Sequence, residues 1–190
     1  MRITDGDLTI RRMRDDAPDY ELMARWLTDP RVLEFVEGPD EPHPLERVRA
    51  KYGIRVMGHD GVTPCLIGKD GRPIGYLQFY RLDDLPTDER DAYRLDGDSG
   101  GAWAIDLFIG EPDLWGNGIG TRALRATVGY LFEGRSARRV VIDPQVTNAR
   151  AICCYEKVGF QKVKVLEAHE YHEGEWRNNW LMVLDRPPAP

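Results

Sequence analysis

The sequence predicts one α/β (α+β) domain built around a mixed sheet. Three observations carry that reading. At 190 residues and 42% hydrophobic content the chain is the right size for one core-forming domain. Strand-like and helix-like segments alternate along it. Past its middle, an apolar strand runs into a glycine-rich turn that opens a helix, and a second strand–helix–strand series follows.

In chain order, Leu8 to Met13 reads as a first strand. Pro18 to Leu27, Pro30 to Phe35 and Pro44 to Val56 read as helices, each opened by a proline, whose fixed φ suits a first helical turn. Strands at Thr63 to Gly68 and Ile74 to Arg81 flank Lys69-Asp70-Gly71-Arg72, a hairpin turn signal. Leu82 to Gly100, rich in Asp, Gly and charge, reads as a loop or insertion. Trp103 to Ile109 is the next strand, and Leu124, Thr127, Val128 and Leu131 mark the buried stripe of the helix after the glycines. A strand at Arg139 to Ile142, a helix at Asn148 to Lys157 and strands around Gln161 to Leu166 and Trp180 to Leu184 complete the domain. Its expected span is 1–186, with 187–190 (Pro-Pro-Ala-Pro) a disordered tail.

Gly116, Gly118 and Gly120 give the chain its chemistry. Without side chains there, successive backbone N–H groups can close on a diphosphate, and the helix that follows directs its positive end at the same anion. A dinucleotide fold expects such a run near the N-terminus with an acidic residue about twenty positions on. A nucleotide P-loop expects a lysine after the last glycine, where this chain has Thr121 and Arg122. Coenzyme A is the diphosphate ligand that remains.

The glycine turn, as Trp115-Gly116-Asn117-Gly118-Ile119-Gly120, resembles the cofactor motif of the GCN5-related N-acetyltransferases, with Trp115 standing where that motif has Gln or Arg. More narrowly, the chain resembles the aminoglycoside 6'-N-acetyltransferases. The matching pieces run from Trp26-Leu27-Thr28-Asp29 and Val32-Leu33-Glu34-Phe35 through Val62-Thr63-Pro64 and Pro73-Ile74-Gly75-Tyr76-Leu77-Gln78-Phe79-Tyr80. They continue with Ile105-Asp106-Leu107-Phe108-Ile109-Gly110-Glu111-Pro112, Asp143-Pro144, Asn148-Ala149-Arg150-Ala151-Ile152 and Tyr155-Glu156-Lys157-Val158-Gly159-Phe160. His169 to Gly174 and Leu181-Met182 fit as well. The resemblance spans nearly the whole chain and implies a single mostly antiparallel central sheet flanked by helices, acetyl-CoA as cosubstrate, and a small polycationic aminoglycoside as acceptor. The same strand and turn also suit an acyl-CoA-dependent N-acyltransferase of siderophore or polyamine biosynthesis.

Acyl transfer to an amine asks for a base, an oxyanion donor and an acid for the leaving thiolate. Asp106 is the candidate base, a lone carboxylate in an apolar strand. Burying such a charge costs several kcal/mol unless it is paired, so it is not expected to be idle. The resemblance implies that Tyr155 is the acid, beside the coenzyme sulfur. Expected cofactor contacts are Leu107, Phe108 and Ile109 on the strand, Trp115, Gly116, Asn117, Gly118, Ile119, Gly120 and Thr121 in the turn, and Asn148, Ala151 and Tyr155 on the later helix. Asn148 is also expected to cap that helix. For the acceptor, carboxylates and aromatic faces suit a polycationic sugar. The candidates are Asp106, Asp143, Glu170, Glu173, Glu37 and Asp40, with Gln78 and Tyr80.

Other signals are quieter. A net charge of −6 disfavours a nucleic-acid binder and suits a cationic substrate. Cys65, Cys153 and Cys154 are too few for a disulfide framework or zinc site, and the adjacent pair is expected to pack in its helix. His169 and His172 are expected on a solvated face, with no metal. Ser99 and Ser136 lie in no nucleophile elbow. Trp26 is expected in the core. Without an apolar leader or a run of about 20 apolar residues, the protein is expected to be cytoplasmic and reduced, with no membrane partner, as a monomer or homodimer.

Overall fold

The computed structural model describes residues 1–93 and 100–188. Eight strands form one sheet in the order β1-β2-β3-β4-β5-β6-β8-β7. The strands are β1 (Arg2–Asp5), β2 (Leu8–Arg12), β3 (Thr63–Lys69), β4 (Arg72–Arg81), β5 (Ala102–Ile109), β6 (Arg139–Ile142), β7 (Gln161–His172) and β8 (Glu175–Asp185). Every neighbouring pair is antiparallel except β5 with β6, which run parallel because α5 (Ile119–Gly134) crosses between them. The remaining helices are α1 (Ala17–Trp26), α2 (Pro30–Leu33), α3 (Leu45–Val56), α4 (Thr87–Ala92) and α6 (Ala149–Val158).

The helix starts follow local chemistry. Asp16 caps α1 by accepting the Asp19 amide at 3.1 Å, Asp29 caps α2, and Asn148 caps α6 by accepting the Ala151 amide at 3.1 Å. α6 ends at Gly159, whose φ of +115° closes the helix in the left-handed conformation.

Two apolar layers cover the sheet. Ile67, Leu77, Phe79 and Ile105 pack with Leu124, Val128 and Leu131 of α5 on one face. On the other, Leu66 and Tyr76 pack with Tyr20, Met23 and Trp26 of α1 and Val48 and Tyr52 of α3. Because β3 and β4 are covered on both faces, they read in the sequence as continuous apolar runs. Trp26 is a core residue, 1% exposed. Its ring lies against Gly110, where an added Cβ would come within 2.3 Å of ring carbons. Gly110→Ala is therefore expected to destabilise the fold by about 3 kcal/mol, read as a lower urea midpoint at unchanged slope.

The structure departs from the sequence reading in four places. β1 pairs with β2 where no strand is expected. The stretch read as a loop or insertion contains a 3-10 turn at Leu82–Asp84 and the helix α4, while 94–99 lie outside the described residues. β7 and β8 extend to a hairpin tip at Glu173 and Gly174, with register shifts at Lys162/Lys164 and Leu166/Glu170. His172 is buried at 2% exposure, its Nε2 3.0 Å from the Glu34 carbonyl, and His169 is half-buried on Asp143, so neither sits on a solvated face. Of the expected tail, Pro187 and Pro188 follow β8 outside regular structure, and 189–190 lie outside the described residues.

Candidate active site

β5 and β6 pair only through Ala102–Ala104 with Arg139–Val141, and beyond that point they part. The opening leads into a cavity of about 650 Å³, walled by the end of β5, the start of α5, the segment after β6, and faces of α3, α6 and β7. Gly110 donates its amide to the Ile74 carbonyl at 2.9 Å. Strand alternation then turns the backbone groups of Asp106 and Phe108 toward β4, and those of Leu107 and Ile109 toward the gap. The gap is therefore edged by backbone N–H groups.

At the mouth of α5, Gly116 and Gly118 hold φ values of +79° and +73°, and a Cβ added at either would meet nothing within 4 Å. Gly118 is the N-cap residue and provides no side-chain cap, so the first-turn amides keep their donors. Gly116, Gly118, Ile119, Gly120 and Thr121 all line the cavity. An open, uncapped helix N-terminus beside a slot edged with backbone donors fits the diphosphate and amide-bearing arm of coenzyme A.

Asp106 lines the same cavity, within electrostatic reach of Asp143, Arg55 and Glu170. Its Oδ2 accepts the Gln78 amide at 2.6 Å. Gln78 is oriented in turn, since its Oε1 accepts from Arg55 at 2.6 Å and from the Tyr76 hydroxyl at 2.8 Å. Burial, then the neighbouring charge of Asp143, push the Asp106 pKa up to about 7 against the opposing Gln78 hydrogen bond. A carboxylate so poised suits proton transfer near neutrality. Arg55, at the last turn of α3, is a member of this relay that the sequence reading missed. Arg55→Met is expected to lower kcat/KM about tenfold and to raise the kinetic pKa of Asp106, because the Gln78 amide loses its fixed orientation and a nearby cation disappears. The pH–rate profile of the variant measures both.

Across the cavity, Asp143 Oδ2 is 3.0 Å from His169 Nε2 and accepts from the Tyr93 hydroxyl at 3.0 Å. That contact with Asp143 holds the His169 pKa above its usual value. Glu170 accepts from Gln145 and Asn179 at 3.2 and 3.3 Å. Glu37 pairs with Lys51. Burial opposes ionisation of Glu37, but the Lys51 ammonium outweighs it and holds the pKa low.

Asp106, Asp143, Glu170, Glu37 and Gln78 thus share one cavity with Leu107, Phe108, Ile109, Trp115, Asn148, Ala151 and Tyr155. Four sequence candidates stand elsewhere. Glu173 is exposed at the β7–β8 tip, and Asp40 is exposed on the segment after α2. Tyr80 packs against the cluster that holds Leu82, Tyr93 and Ala104 and does not line the cavity. Asn117 folds its exposed amide back onto the Leu114 and Trp115 carbonyls. Gln78 lines the wall, but both ends of its amide are committed to protein partners. Burial raises the Tyr155 phenol well above its usual pKa, so it stays protonated and remains a donor. Cys154 packs against Thr121, whereas Cys153 is exposed and lines the cavity, contrary to the expected packing role.

A family model described as "Acetyltransferase (GNAT) domain" matches residues 15–168. The chain belongs to the GNAT acetyltransferase family. Its members' chemistry makes it an acetyl-CoA-dependent N-acetyltransferase. Over 159 residues it is 30% identical to aminoglycoside N(6')-acetyltransferase type 1 of Klebsiella pneumoniae, covering 84% of this chain and 76% of that one. It is 27% identical over 155 residues to N(6)-hydroxylysine O-acetyltransferase of Escherichia coli, covering 80% of this chain and 46% of that one. The solved structure of AAC(6')-Ib in complex with ribostamycin and coenzyme A superposes with a TM-score of 0.79 at 28% identity, covering 95% and 94% of the two chains. Among the described residues of this GNAT chain, no helix is long and apolar enough to cross a membrane, and no group of three or more His, Cys, Asp or Glu residues is arranged to hold a metal ion.

Proposed function

We propose that this enzyme is an aminoglycoside 6'-N-acetyltransferase, working by direct attack of the 6'-amine in a ternary complex. One observation carries the reading: Asp106 shares one cavity with the cofactor slot and with two further carboxylates, Asp143 and Glu170, close enough to act on its charge. Such a cluster suits an acceptor with several ammonium groups, because separate carboxylates can each orient one of them. The similarity to the aminoglycoside N(6')-acetyltransferase and to AAC(6')-Ib supports the same acceptor class.

When bound, acetyl-CoA supplies the acetyl thioester. The remaining work falls to the chain. Asp106, held by Gln78, takes the proton of the attacking amine. The Leu107 and Ile109 amides face the gap and are the backbone donors available for charge that develops on the acetyl oxygen. Tyr155 keeps its phenolic proton and can donate it toward the leaving thiolate. Losing one ammonium charge would weaken the drug's hold on anionic ribosomal RNA, and resistance would follow.

A second reading, a siderophore or polyamine biosynthetic N-acyltransferase, rests on the similarity to the hydroxylysine acetyltransferase. Coenzyme A release, read with a thiol reagent, separates the two. Turnover on kanamycin and tobramycin, with none on a 6'-hydroxyl analogue, is the expected result. Silence on every drug, with turnover on a polyamine or a longer acyl-CoA, would transfer the enzyme to the biosynthetic reading.

A further inference from the structure

Trp115 leads the glycine turn but is turned back into the protein. Its indole Nε1 donates to the Ile109 carbonyl at 2.7 Å, which fixes the ring plane. On one face of that ring lies Arg150 of α6, its guanidinium carbon 3.9 Å from the ring centroid, a direct stacking distance. Both residues line the cavity at the glycine cradle.

Four lysine and arginine side chains line this cavity: Lys51, Arg55, Arg150 and Lys157. Lys51 is neutralised by Glu37, and Arg55 is committed to Gln78 and to Asp60 at 3.5 Å. Arg150 has no ion-pair partner among the described residues, nor does Lys157. Both belong to a stripe of α6, with Cys153 and Cys154 between them at i+3 and i+4, that faces the cavity. The middle of the stripe touches the cradle, since a Cβ at Gly120 would stand 3.6 Å from Cys154 Sγ. Of the two free cations, only Arg150 is braced by a ring.

We infer that Arg150, stacked over the Trp115 ring, is the side-chain cation that binds the phosphoryl groups of coenzyme A. The turn itself offers neutral backbone donors, while the ligand brings several negative charges. A guanidinium already braced against a ring loses less freedom when it engages a phosphoryl group through two parallel N–H bonds. Trp115, in the position that leads the turn, thereby contributes through the arginine it orients. The inference rests on the coenzyme A chemistry of the family and is independent of the acceptor.

Calorimetric titration of coenzyme A and 3'-dephospho-coenzyme A into wild type, Arg150→Ala and Arg150→Lys tests it without turnover. Arg150 is exposed, so the variants are expected to keep the wild-type circular dichroism spectrum and melting temperature. Arg150→Ala is expected to weaken coenzyme A binding about tenfold or more and to flatten its salt dependence, and Arg150→Lys to restore part of the loss, since lysine keeps the charge but not the fork. An equal loss for both ligands assigns Arg150 to the diphosphate, and a loss confined to coenzyme A assigns it to the 3'-phosphate. Affinities within about twofold of wild type for both ligands in Arg150→Ala would overturn the inference. Because no acceptor is present, that result would leave the aminoglycoside reading untouched.

Discussion

Asp106→Asn is expected to lower kcat by about 10²–10⁴-fold while acetyl-CoA binds as tightly as before. Asparagine keeps the size of the side chain and a contact with Gln78, but it cannot accept the amine's proton. Asp106 is held in place by the Arg55–Gln78 relay and has Asp143 nearby, so the wild-type enzyme carries its own signature of the role. A carboxyl whose pKa is raised to about 7 is protonated, and idle as a base, below that pH. Accordingly kcat/KM should fall about tenfold per pH unit below 7 and level off above it. The profile of kcat should lie at lower pH, because a bound polycation favours the charged carboxylate. In Asp106→Asn the residual rate should lose this limb. Full activity in the variant would remove Asp106 from the reaction.

Gly118→Val carries the second large effect, on the cofactor. Gly118 adopts φ +73° at the N-cap of α5, a conformation strongly disfavoured for a β-branched residue. A Cβ there meets no protein atom within 4 Å, so the protein itself offers no clash. The valine instead fills the space a diphosphate needs and strains the turn that presents the amides. Acetyl-CoA affinity is expected to fall about 100-fold by calorimetry, with the melting temperature lowered by only a few degrees. Unchanged affinity would show that the diphosphate is held elsewhere.

What could be read from the sequence was local. The strand from Trp103 to Ile109, the glycines and the α5 stripe lie within thirty residues, and each announces itself by periodicity or by absence of a side chain. Asn148 declared itself as a cap in the same way. The relay behind Asp106 did not. Arg55 reads as one of several arginines on an amphipathic helix, and only the packing of α3 over β4 brings it to Gln78. Trp115 and Arg150 are likewise distant in sequence, joined by the approach of α6 to the turn. β1 escaped notice because an exposed edge strand, Arg-Ile-Thr-Asp, has almost no apolar pattern. β7 and β8 appeared too short because the register shifts, with Ala168 at φ +47°, break the alternation that marks a strand. Asp40 and Glu173 carry the charge a cationic acceptor needs, but charge says nothing of the direction a side chain takes.

The most direct measurement is the position of the acetyl group on the product formed from kanamycin and acetyl-CoA, by mass spectrometry and two-dimensional NMR. A single acetyl group on the 6'-nitrogen is the predicted result. Acetylation at another amine, or an unmodified drug beside an enzyme that acetylates a polyamine, would contradict it.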